Sequence, residues 1–177
     1  MNAETLLALL NPVMSTVFAA VFLTLWVYHP VSGYLRTLAL CYAGLAVGFT
    51  LLVIALPVGL VHTRALANLI VLLSGLCLSL ATFQRCNLTF PHALYWAFAA
   101  ATYAPFLWFL YVNPDVVARI HVINGGVALM MLTCAMLTFR GIRTIADRVL
   151  FCLLLAYAAL SVARPLLTLP HDNLAPD

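Results

Sequence analysis

Six stretches, residues 5–28, 37–61, 65–83, 92–112, 115–139 and 149–169, run through apolar side chains, and none holds an Asp or Glu deeper than its first turn. About 20 such residues wound as a helix cross a bilayer core. In hydrocarbon every backbone N–H and C=O must be bonded within the segment, so stretches of this length must be helices. The sequence predicts an all-α fold: a polytopic membrane helix bundle of six transmembrane helices, one domain over residues 1–177, its neighbours antiparallel across short connections. The composition leaves no soluble alternative. Charged residues make up 7% of the chain against 66% hydrophobic, where a soluble domain averages about 25% charged. The basic residues are all Arg and lie scattered along the chain. With no basic stripe, nucleic acid is excluded as a partner.

Local signals place the helix ends. Asn113-Pro114 supplies an N-cap and a first-position proline ahead of span five, with Asp115 at the positive end of the dipole. Arg140-Gly141 predicts a cation and a C′ glycine at its far end. Thr144 and Asp147 predict a capping pair for span six, and Pro170 its stop. Pro57 and Pro105 fall inside spans two and four and predict kinks.

Arg placement gives an orientation. With the N-terminus outside, the inner loops 29–36, 84–91 and 140–148 hold Arg36, Arg85, Arg140, Arg143 and Arg148. The outer connections hold Arg64 and Arg119, and Glu4, Asp115, Asp172 and Asp177 also fall outside. The start has no basic n-region, so span one reads as a helix and not as a cleaved signal peptide. Cys41, Cys77, Cys86, Cys134 and Cys152 form no CxxC pair and lie toward the inner side, so neither disulfides nor a zinc site is expected. Six spans would leave both ends outside. The expectation is a longer protein, from which a seventh helix is missing here.

Polar residues within the membrane are the default functional candidates. In this orientation Asn11, Asn68, Arg119, His121, Asn124 and Arg164 fall in the outer half. His121 and Asn124 share a helix face, and Gly125 and Gly126 allow close approach of a helix or ligand. These residues predict an outward-opening pocket for a small anionic or lipid-like ligand, with Arg164, inside span six ahead of Pro165, the foremost contributor. The plainer alternative is that Arg119 and Arg164 snorkel to the interface while each Asn bonds a neighbouring helix. Pairing of Arg119 with Asp115 would also withdraw it from a pocket. Gly44 and Gly48 form a GxxxG in span two, a helix-packing face. Trp26, Tyr28, Tyr95, Trp96, Trp108 and Tyr111 read as interfacial belts. Asn87-Leu88-Thr89 is a glycosylation-type tripeptide on the inner side and should be silent. His29 and His92 sit at span ends beside proline, which is ordinary for interfacial histidine, so no haem or other cofactor is expected. There is no HExxH, no GxSxG and no paired acids, so no catalysis is expected of these residues.

Asn113-Pro114, Arg119-Ile120, Asn124-Gly125-Gly126, the Arg-rich turn 140–148 and Ala163-Arg164-Pro165-Leu166-Leu167-Thr168-Leu169 resemble the multi-spanning membrane regions ahead of GGDEF diguanylate cyclase domains in proteobacteria. The resemblance is loose over the whole chain and pointed in residues 113–169. It implies a sensory input module in the bacterial inner membrane, homodimeric at full length, regulating a cytoplasmic output domain that makes cyclic di-GMP. The GGDEF domain is not among these residues, so no catalytic role is carried onto any of them. Two other functions fit the composition: a small transporter or channel-like subunit, and a structural or assembly subunit of a membrane complex.

Overall fold

The computed structural model describes the backbone of residues 3–54, 57 and 59–168 and the side chains of 9–54, 57 and 59–163. Its elements are α1 (Ala3–Tyr28), α2 (Gly33–Val53), α3 (Leu60–Arg85), α4 (His92–Tyr111), α5 (Val116–Thr138), a 3₁₀ turn (Phe139–Gly141) and α6 (Ile145–Thr168). All six α-helices are long and apolar enough to cross a membrane, as the sequence predicts. The chain is organised as two compact units of three helices each, Met1–Phe90 and Pro91–Asp177.

Several ends differ from expectation. Span two was expected to run to residue 61 around a kink at Pro57, yet α2 stops at Val53 and α3 begins at Leu60. Pro57 has no N–H to continue a helical ladder, and Gly59, the N-cap of α3, takes φ 100° and ψ 148°. Only glycine occupies that region without cost. Both the amide and the hydroxyl of Thr63 donate to the Gly59 carbonyl, at 3.1 and 2.9 Å, which closes the first turn. Pro57 therefore separates two helices and kinks neither. Pro105 does lie inside α4.

In α5 the cap is Asp115 itself, whose carboxylate accepts the Ala118 amide at 3.0 Å, so Asn113-Pro114 lies one step outside the helix. Gly141 is not a left-handed C′ residue, since Gly59 is the sole described glycine with positive φ. The helix instead tightens into the 3₁₀ turn, and Gly141 is buried there. The Thr144–Asp147 pair forms as predicted. Asp147 Oδ2 accepts the amides of Thr144 (2.8 Å) and Arg143 (3.1 Å), and the Asp147 amide donates to Thr144 Oγ1 (3.2 Å). Pro170 lies outside the described residues.

In the first unit α2 packs between α1 and α3. Phe18 and Phe22 of α1 meet the Tyr42 ring at centroid distances of 5.2 and 5.4 Å. The GxxxG of α2 faces α3. A Cβ on Gly44 would overlap the Ser74 hydroxyl, and one on Gly48 would lie 2.7 Å from Val71 Cγ2 and 3.3 Å from the Ala67 carbonyl. Missing side chains let the two backbones close, so dispersion contacts replace the hydrophobic drive that lipid removes. The motif thus serves packing within one chain. In the second unit α5 packs between α4 and α6. A Cβ on Gly126 would collide with the Thr102 side chain, 2.7 Å from its Cβ, whereas Gly125 faces open space.

Candidate functional site

On α5 the exposed stripe is Val117, His121, Gly125, Leu129, Leu132 and Met136, and the buried side carries Val127, Met131, Cys134 and Thr138. His121 therefore lies on the outward stripe. Asn124, about 12 Å along the axis from Val116, sits half-buried at its edge. Its Nδ2 donates to the Ile120 carbonyl at 2.8 Å, leaving Oδ1 as an acceptor beside the open space at Gly125. Arg119 lies roughly 140° around the helix from Asn124, and its Nε donates to the Asp115 carbonyl at 3.2 Å. The structure thus brings His121 and Asn124 together and turns Arg119 away from them. It pairs Arg119 with the backbone of Asp115, since the carboxylate is committed to the helix cap.

Asn68 repeats the pattern in the first unit, with Nδ2 donating to the Arg64 carbonyl at 2.8 Å. Each Asn is tied to its own helix four residues back, not to a neighbouring helix. Asn11 is exposed on α1. Arg164 is carried by α6, but its side chain lies outside the described residues. The geometry on α5 is a lateral face opening along an exposed stripe. A ligand arriving in the plane of the membrane would find one amide acceptor, one imidazole and a Gly-cleared surface.

A second concavity lies in the first unit, an open groove of about 340 Å³ lined by Leu9, Pro12, Val13, Thr16, Val17 and Thr50. The hydroxyls of Thr16 and Thr50 donate to the carbonyls of Pro12 and Ala46 within their own helices, at 2.8 and 2.7 Å. The groove therefore offers apolar walls and no spare donor, which suits a hydrocarbon chain better than a polar solute.

Sequence reasoning missed a polar cluster where α2 begins and α3 ends. Thr37 Oγ1 donates to Gln84 Oε1 at 2.8 Å, Arg85 lies 5.3 Å from the Tyr34 ring centroid, and its Nη1 is 3.4 Å from the Tyr34 hydroxyl. Antiparallel register brings these residues together. The one-dimensional signal was an aromatic and an Arg at facing span ends. Asn87 was missed as well. It takes φ 53°, with its amide donating to Gln84 O (3.2 Å) and the Leu88 amide to Phe83 O (3.0 Å), a Schellman cap for α3. The residue read as a silent glycosylation acceptor is the C′ residue of a helix.

Among the described residues no group of three His, Cys, Asp or Glu could hold a metal ion, and the five cysteines are free thiols. The fold and its polar inventory define a class: a polytopic α-helical membrane protein built as two three-helix units. No family model, curated protein or solved structure matches the chain.

Proposed function

We propose that this chain is the membrane-embedded input module of a bacterial signalling protein, N-terminus outside in the inner membrane, regulating a cytoplasmic diguanylate cyclase output domain. The observation that carries the reading is the α5–α6 hairpin. It holds the residues that resemble GGDEF-associated membrane regions, its turn is closed by the Thr144–Asp147 capping box, and its ligand-accessible face includes His121 and Asn124. A small anionic or lipid-like ligand reaching that face through the bilayer, with Arg164 on α6 contributing, shifts α5 against α4 across the Gly126–Thr102 contact. Packed seams of this kind have discrete arrangements, so differential binding appears as a change in population. A seventh helix and dimerisation would pass that change to the output domain. Reading the native coding sequence in frame past Asp177 tests this. A further apolar span followed by a GGDEF-type domain supports the proposal, and a stop codon overturns it.

The two compact units favour a second reading. That reading is a small transporter or channel-like subunit, with three spans in each unit. Solute flux in liposomes would support that reading over the first.

A further inference from the structure

The α5–α6 turn has a composition the other connections lack. Arg140, Arg143 and Arg148 are all exposed there, and no described side chain pairs with their guanidinium groups. Every other connection between the helices has one Arg within about a turn of it: Arg36, Arg64, Arg85 or Arg119. Of these, Arg85 is engaged by Tyr34 and Arg119 by the Asp115 carbonyl. The one acid in the turn, Asp147, is only 8% exposed, and its Oδ2 is committed to two backbone amides. It holds the turn's shape.

Beside the cations stand apolar side chains that water would disfavour. Ile145 is 80% exposed and Phe139 59% exposed, with the Phe139 ring 5.6 Å from that of Phe151. A turn that joins two membrane-crossing helices sits at headgroup depth. There, exposed apolar groups dip toward the acyl chains while arginine stems extend to the phosphates.

We propose that residues 139–148 form a docking surface for anionic phospholipid headgroups. Arg140, Arg143 and Arg148 supply charge-assisted, bidentate hydrogen bonds to lipid phosphate oxygens, and Phe139 and Ile145 anchor the turn in the interface. The chemistry recognised is a phosphate carrying net negative charge on a hydrophobic tail. Zwitterionic lipid carries no net charge and gains less, and free phosphate has no tail to engage the apolar pair.

The test uses the purified chain in neutral detergent, titrated separately with phosphatidylglycerol, phosphatidylcholine and inorganic phosphate. Retained lipid is read by native mass spectrometry and stabilisation by the shift in Tm. Phosphatidylglycerol should be retained and raise Tm, with the shift shrinking as salt is added. Replacing all three arginines by Gln should weaken retention on the order of a hundredfold, about fivefold for each charge removed, and should leave the lipid-free Tm unchanged. Arg36→Gln, on another connection, should retain lipid like the parent. If the Gln variant does not fold, the triple Lys variant serves instead and should keep the preference for anionic over zwitterionic lipid. Equal retention of the two lipids, full retention by the Gln variant, or an equal Tm shift with inorganic phosphate would each overturn the proposal, the last by making this a free-anion site. Failure of phosphatidylglycerol to bind at all would leave the cations for an acidic protein partner and likewise overturn it.

Discussion

The two three-helix units hold themselves together differently. In the first, α2 and α3 are tied side chain to side chain, by Thr37 to Gln84 and Tyr34 to Arg85 at one end and by the Gly44 and Gly48 contacts along the seam. In the second, the hydrogen bonds described above are local: helix caps, and side chains returning to their own backbone. Its α4–α5 seam closes on a single glycine, Gly126, against Thr102. At the Gly126–Thr102 contact the backbones approach closely enough that a small change there would displace α5. That contrast is why the responsive element is placed in the second unit.

The contrast is broken most directly at the glycines. Gly126→Ala forces α5 away from Thr102 and should cost about 2–3 kcal/mol, while Gly125→Ala, one residue away in open space, should stabilise by about 0.5–1 kcal/mol through better helix propensity. Opposite signs in Tm for adjacent residues would be hard to obtain if α5 packed on any other face. Next in size, Asn87→Val places a β-branched residue at φ 53° and should cost about 1–2 kcal/mol, while Asn87→Gly should be neutral or better. Both read out as urea or thermal stability in detergent. Asp147→Ala removes the box that closes the α5–α6 turn and should cost about 1 kcal/mol, with faster amide exchange at Arg143 and Thr144. Thr37→Val should have the smallest effect, about 0.6 kcal/mol, since the membrane-unfolded state also finds partners for a lone hydroxyl. An effect much larger than this would mean that the Thr37–Gln84 bond carries more of the α2–α3 seam than the Gly44 and Gly48 contacts do.

Six helices were legible because hydrocarbon leaves a long apolar stretch little choice. Their faces were not. In α4 the buried stripe is Tyr95, Ala99, Thr102, Phe106 and Leu110, while Trp96 and Trp108 are exposed. Lipid is as apolar as the interior, so hydrophobicity does not tell inside from outside, and the better guide was small residues such as Gly44, Gly48 and Gly126. Ends marked by side-chain chemistry, such as Thr144 with Asp147, could be read from sequence. Ends set by backbone conformation, at Gly59 and Asn87, could not, because an apolar flank on each side hides them. Of the candidate site, the shared face of His121 and Asn124 followed from helical spacing. Arg119 was expected in the same pocket, but a spacing of five residues puts it roughly 140° around the helix from Asn124, and its Nε bonds the Asp115 carbonyl.

The proposed function requires that a shift in the α4–α5 seam change the activity of a cyclase output domain. It is tested by measuring cyclic di-GMP made from GTP in membranes carrying the full-length gene product, comparing Gly126→Ala with Gly44→Ala. Gly126→Ala should change the rate severalfold at equal protein level, while Gly44→Ala, which displaces the Ser74 hydroxyl from the Ile70 carbonyl, should leave it near the parent value. No cyclic di-GMP from any of the three proteins, or equal rates from all, would contradict it.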